Sequence, residues 1–561
     1  MKKGISINTQ LWFLIAALAG LLAISVACSS AAPTATPAKS HAAPTAAPVA
    51  TATPAPTARP TATTAPTSTA AQIKRGGILR YPRTISIDPP DPAYSILQAT
   101  RAVLPAIFDT IVRPRPDGTL APGLAESWTF SSDGKTITFN LRKGVKFHDG
   151  TDFNAQAAKW NYDRLLDPAV GSPRRQELSP PLQKVEIVDD STIRFTLSQP
   201  FRPLLAALSI QAGMMASPTA VQKYNSYSDR NGEFGKKPVG AGPFKLDEWI
   251  PGTRFRFSRN ENFSDKNLPY LDGMDMPIIA DSQIQFAMLR TGEIDVMEAL
   301  DAQNIPLAER NPSLKVVARE GLNTAVIGFR LTVKPWDNKA LRQAFAWAVN
   351  RKAEGDVAFG GRATPAQSMV GPGFGQWFDS TVNVYDLNIQ KAKEKLVEAG
   401  YPNGFSFRGP CRVTTVDAQT CEVVQASLAA AGITMNIDPY DTLTYYSDFV
   451  GRKHSGPLIS WFSSRPDAGI LLRLLYHSNG SQNSWDFKNA QVDQLIEQAD
   501  GVYDVAQAKA LYRQVYMIVA DELPMLPIAW WNNYYGIRTN VGNFQTYLDG
   551  VARFTETWLD K

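Results

Sequence analysis

Four histidines and three cysteines are the side chains of this 561-residue chain best suited to hold a metal or attack a carbonyl. His41 lies in a low-complexity stretch, and no two of His148, His454 and His477 stand at the spacing that puts two imidazoles on one helix face. No catalytic metal and no other cofactor is expected. Gly134, Lys135 and Thr136 copy the end of a phosphate-binding loop, but the required first glycine would fall on Thr129. Ser132 and Lys135 have the spacing of an acyl-enzyme pair, which works only on a helix, and they sit in a turn-forming "SSDG" context. The run "GPGFGQ" from Gly371 has neither the spacing nor the following helix of a dinucleotide loop. The 52 acidic residues permit many carboxylate pairs of the glycosidase kind, and nothing in the sequence selects one.

The N-terminus directs the chain out of the cytoplasm. Lys2 and Lys3 precede the apolar run Leu11–Ala27, which is short for a bilayer span and ends in small residues before Cys28. "SVAC" resembles a bacterial lipoprotein box, which implies a signal peptide over 1–27 and lipidation of Cys28. From Ala31 to Ala70, 34 of 40 residues are Ala, Pro or Thr. With almost no large apolar side chain, residues 28–73 cannot build a core and read as a disordered tether. Residues 1–73 carry no Asp or Glu, and beyond them the charges nearly cancel, although the whole chain sums to +5. A near-neutral body gives no support for nucleic-acid binding, which needs a basic surface. After Cys28 only Cys411 and Cys421 remain, and they are either two buried thiols or, in an oxidising compartment, a disulfide adding roughly 3 kcal/mol.

The folded body alternates strands and helices. Trp128 and Phe130 lead into "SSDG", and Ile137, Phe139 and Leu141 lead away from it with period two, which predicts an antiparallel hairpin. Val185 and Ile187 with Ile193, Phe195 and Leu197 repeat the device, and a helix is predicted between the hairpins over about 154–166. In "DNKALRQAFAWAVNRKAEG" Asp337 is the expected cap, Leu341, Phe345 and Val349 share a face, and Gly355 is the expected exit. In "DLNIQKAKEKLVEAGYP" Asp386 is the expected cap and Gly400 with Pro402 the stop. This mixture predicts an α/β protein.

Five strings in order, "APGLAESWTFSSDGKTITFNLRKGVKFHDG" (121–150), "PVGAGPFKLDEW" (238–249), "LRTGEIDVM" (289–297), "NKALRQAFAWAVNR" (338–351) and "LPMLPIAWW" (523–531), resemble the extracytoplasmic solute-binding proteins of ABC importers. The similarity is to the family with dipeptide-, oligopeptide- and nickel-binding members. It implies a fold like the type II periplasmic binding proteins, with two lobes around a ligand cleft and an inserted subdomain. Carried onto this chain, lobe I comprises 74–118, 237–331 and 525–561, the subdomain 119–236, and lobe II 332–524. The resemblance also implies a non-enzymatic, monomeric receptor that is lipid-anchored outside the cell membrane and hands a small solute or peptide to a membrane permease. An extracytoplasmic hydrolase and a ligand-sensing receptor are the competing readings.

Matching segment by segment, the resemblance implies a cleft lined by Tyr94, Arg330, Arg412, Trp461, Ser463, Ser464, Arg465, Asp467, Trp485 and Trp531. Peptide-binding relatives place an Asp three residues after the Trp of "WFSSRPDAG", where this chain has Ser464; Asp467 is the nearest acid that could replace it. A neutral hydroxyl cannot compensate a buried ammonium. Arg330, Arg412 and Arg465 favour carboxylates, and the tryptophans suit sugar rings. An oligosaccharide or anionic solute is therefore expected ahead of a peptide held by its amino terminus.

Overall fold

The computed structural model describes residues 73–560 except 85–86, 96–97, 179–180, 414 and 464–466. The expected signal segment, the expected tether with Cys28, and the candidates Ser464 and Arg465 lie outside the described residues.

Both expected hairpins form. Ala125–Phe130 pairs with Thr136–Leu141 (Trp128 opposite Phe139), and Leu182–Asp189 pairs with Thr192–Leu197. The two hairpins join through 136–141 and 192–197 into one four-stranded sheet. Alternation puts Ile137, Phe139, Leu141, Ile193, Phe195 and Leu197 on one buried face, where they meet Ala158, Tyr162 and Leu165 of the helix Ala155–Leu166. Asn154 starts that helix by accepting the N–H of Ala157 at 3.0 Å.

The "PVGAGPF" turn is pinned beneath this layer. A side chain at Gly240 or Gly242 would meet the backbone at Ile107 within 2.5 Å, so only glycine passes. The Nε2 of His148 lies 3.0 Å from the Gly242 carbonyl, and burial drives the imidazole down to about 4, so His148 is a neutral local donor.

Two long antiparallel strands, Leu314–Gly328 and Met525–Arg538, organise the rest. Residues 314–319 pair with 533–538, and the second strand is flanked there by Val296–Met297. After a register shift between Arg319 and Asn323, residues 323–328 pair with 525–531, flanked by Leu458–Ser463 on one side and Ala363–Pro365 on the other. At about 3.3 Å per residue each strand runs close to 50 Å, long enough to serve two separate cores. The change of partners comes inside the strands, between 319 and 323 in the first and between 531 and 533 in the second.

Helix ends differ from expectation in a consistent way. Asn338, not Asp337, caps Lys339–Ala348 through Leu341, and Asn388, not Asp386, caps Ile389–Glu398 through Lys391. Each Asn adopts the extended backbone of an N-cap and accepts from the third residue on, which an acid further upstream cannot reach. Gly355 is not an exit: the first helix stops at Ala348, and Asn350 caps a second, Arg351–Ala358, in which Gly355 is buried. Beyond it, Phe405–Arg412, the helix Thr415–Ala430 and Ile433–Tyr440 form a parallel βαβ unit. Cys411 at the end of its first strand is bonded to Cys421 in its helix, with Cα atoms 6.4 Å apart.

Candidate functional site

Where the long strands change partners, an aromatic cluster packs on the core with part of its surface in solvent. Trp461 lies opposite Ala325, and Trp531 lies opposite both Asn323 and Ala363. The two indoles meet edge to face with centroids 4.9 Å apart, and Phe359, just beyond the helix 351–358, stacks on Trp531 at 5.4 Å. All three rings are only partly buried. Beside them Asn323 Nδ2 donates to Asn533 Oδ1 at 2.9 Å, and the Arg362 guanidinium lies 5.5 Å from the Tyr534 ring centre.

A charged cluster holds these rings from behind. Asp417 Oδ1 accepts from the Trp461 indole N–H and, at 2.7 Å, from Arg412 Nη2; the Arg412 guanidinium also faces the Tyr445 ring at 5.4 Å. Arg412 and Asp417 are buried and neutralise each other. Both lie next to the Cys411–Cys421 bond, which ties the helix carrying Asp417 to the strand carrying Arg412. One layer deeper, Glu354 accepts from the Thr420 hydroxyl at 2.7 Å, and burial, aided by the Asp417 charge, pushes its carboxyl up to about 7.

The remaining candidates are placed differently. Arg330 donates to Asp486 Oδ2 at 3.1 and 2.9 Å and to the Arg452 carbonyl at 2.5 Å, so its charge is spent inside the fold. Trp485 is 0% exposed, and a methyl at Gly328 would be 2.1 Å from its ring. It is a core residue. Tyr94 is buried under the Arg164 guanidinium, which forms a buried pair with Asp91 at 2.7 Å. Asp467 caps the helix Ala468–Tyr476 and pairs with Arg202. Ser463 ends its strand opposite Asn323.

A separate cavity of about 640 Å³ opens where three distant stretches meet: Arg101, the segment Pro168–Glu177, and the face of the helix 468–476 that carries Leu471 and Leu474. Its walls mix Arg175, Gln176 and Gln482 with these leucines, the composition of a site for a polar solute. Among the described residues no group of three or more His, Cys, Asp or Glu is arranged to hold a metal, and no helix is long and apolar enough to cross a membrane.

Residues 119–483 match the family described as bacterial extracellular solute-binding proteins, family 5 Middle. The chain belongs to this family, the solute-binding proteins of ABC importers. Over 415 residues, 72% of its length, this family 5 protein is 35% identical to the glutathione-binding protein GsiB of Shigella flexneri serotype 5b, covering 79% of that relative. The Escherichia coli K12 GsiB is 34% identical over the same length. Among solved structures, the periplasmic binding protein DppA of Helicobacter pylori in complex with the peptide STSA superimposes with a TM-score of 0.79 at 27% identity, covering 87% of this chain and 99% of that one. AgaA of A. tumefaciens R10 in complex with agropinic acid gives 0.77 at 25%, covering 86% and 99%. The fold of this family 5 protein is accordingly the type II one, two lobes around a ligand cleft with an additional subdomain, and like its family it is extracytoplasmic.

Of the candidates named from sequence, Trp461, Trp531 and Arg412 come together in this cluster, alongside Phe359, Asp417, Tyr445 and Asn323, which the sequence reading did not name. A signal existed for Asp417, an acid five residues after Arg412 and four before Cys421. The others depend on which strands become neighbours.

Proposed function

We propose that this protein is the substrate receptor of an ABC importer, tethered to the membrane by lipid on Cys28, that captures a short peptide or peptide derivative between its lobes as a monomer and passes it unchanged to the permease. The lobes of the proposal are 74–118 with 237–319 and 533–561, and 323–524 with 525–531, the subdomain being 119–236. The long strands that cross between the lobes then serve as the hinge.

The observation that carries the reading is the partly exposed cluster of Trp461, Trp531 and Phe359 at that crossing, in a chain 35% identical to a glutathione-binding protein. Such rings supply apolar contact to a polar ligand while Arg412 and Asp417 hold their geometry. Arg330 and Arg412 are already paired with Asp486 and Asp417, which removes most of the charge argument for an anionic solute; the ligands named for GsiB and DppA support the peptide class.

Titration calorimetry with reduced glutathione and with di- to pentapeptides beside their amino-acetylated forms tests the ligand class. Saturable binding of a member, recovered chemically intact, is expected. Mass spectrometry of co-purified ligand that returns a sugar, together with no heat from any peptide, would sink it. Cys28→Ala is expected to move the protein from the membrane to the soluble fraction, and continued membrane partitioning would remove the anchor.

A further inference from the structure

Arg202 enters a socket built entirely by residues 377–512. It sits in "QPFRP", where Pro200 and Pro203 restrict the backbone on either side. Its backbone N–H donates to the Asp500 carbonyl at 2.7 Å. Its guanidinium pairs with Asp467, donates to the Tyr512 hydroxyl at 2.6 Å and lies over the Trp377 ring at 4.2 Å. The Tyr512 hydroxyl passes the chain on to Asp500 Oδ1 at 2.8 Å, and Arg473 closes it with Nε on Asp500 Oδ2 at 2.8 Å. Asp467 also accepts from the Gly469 N–H at 2.8 Å, and a methyl on Gly469 would come within 2.2 Å of the Tyr512 oxygen. Apolar contact surrounds the ion pair: Ile470 and Leu474 of the second lobe pack into the core of the subdomain, and Phe130 meets Tyr503 edge to face at 5.0 Å.

We propose that Arg202 and its socket of Asp467, Asp500, Tyr512 and Trp377 are a closure latch between the inserted subdomain and the second lobe, and that Asp467 is the latch acceptor instead of a ligand for a peptide ammonium. The inference rests on the hinged-receptor reading above. Among the described residues the socket's fixed charges are two carboxylates and Arg473, and Arg202 supplies the balancing cation when seated. Opening must break the Arg202–Asp467 pair, the hydrogen bond to Tyr512 and the apolar contact of Ile470 and Leu474 with the subdomain core, and the loss of these contacts penalises the open arrangement. The latch thereby raises the fraction of molecules in the closed, binding-competent arrangement, and apparent affinity scales with that fraction without any contact to the ligand.

The test uses the full-length protein, wild type, Arg202→Gln and Asp467→Asn. Asn keeps the helix cap on Gly469 while removing the charge, so it carries the test if the arginine variant fails to fold. Small-angle scattering of the ligand-free proteins is expected to show a larger radius of gyration in both variants, and reduced glutathione, as the probe, is expected to bind about 10- to 100-fold more weakly. An unchanged radius in a folded variant overturns the latch, whatever the affinity does. Glutathione binding equal to wild type in an expanded variant overturns it too. If wild type binds no glutathione at all, the ligand assignment fails separately, and the scattering comparison alone decides the latch.

Discussion

Arg412, Asp417 and Trp461 form one cluster of arginine, aspartate and aromatic ring, and Arg202, Asp467, Tyr512 and Trp377 form another. The groups are the same and the uses differ. In the first, every member comes from residues 412–461, the ion pair is sealed, and the indole it holds keeps an edge in solvent. In the second, the arginine arrives from 265 positions away, and the aromatic partner Tyr512 is itself buried. A charged cluster confined to one lobe survives hinge motion and can position a binding surface. One that spans two parts is made and broken by the motion. What separates a positioning device from a closure device is which segments the charges come from, not their chemistry.

Three further experiments sharpen that contrast. The largest effect is expected from the first cluster's brace: replacing Cys411 and Cys421 by Ser removes about 3 kcal/mol of stability, read as a lower urea midpoint. An unchanged midpoint would mean that the βαβ unit needs no covalent closure. Next, Trp461→Ala is expected to cost about 2 kcal/mol of ligand affinity, roughly thirtyfold, by calorimetry with whichever peptide binds wild type. Trp461→Phe keeps a ring but drops the donor to Asp417 and should lose less; equal losses would show that the indole N–H matters more than the apolar face.

The smallest effect lies behind the aromatic cluster. Because the Glu354 carboxyl is raised from its ordinary 4.5 to about 7 in the folded protein, the fold binds this proton more tightly than the unfolded chain does. The stability it contributes is complete below about 4.5, declines as pH rises toward 7 and is gone above it. Between pH 6 and pH 8 wild type should lose about 1 kcal/mol from this group. Glu354→Gln should lack that decline and be the more stable protein at pH 8, as judged from urea midpoints at the two pH values. Parallel pH profiles for the two proteins would show that Glu354 ionises as an ordinary carboxylate.

Much of this was legible without coordinates. Period-two alternation around "SSDG" and "DDST" predicts both hairpins because a half-buried strand must bury every second residue; Ile137, Phe139, Leu141, Val185, Ile193, Phe195 and Leu197 are buried as predicted, while Phe130 and Ile187 on the outer strands end exposed. Helix existence was legible and helix starts were off by one or two residues, since Asp337 and Asn338, or Asp386 and Asn388, are equally good capping types and only the backbone chooses between them. At the site, Trp461 and Trp531 were named on the same grounds as Trp485. The first two end partly buried at a strand crossing, and the third ends fully buried against Gly328.

By itself the sequence determined the order of parts: an apolar run, an Ala-, Pro- and Thr-rich stretch, and a body whose motifs run in family order. These are properties of composition, period and neighbouring residues, which a chain carries before it folds. The tertiary structure alone decided the pairing of charges. Asp467 took Arg202, 265 positions away, and Arg330 took Asp486, 156 positions on. A buried charge is satisfied by whichever opposite charge the packed segments bring within hydrogen-bond reach, and that distance does not exist until the strands and helices have found their places.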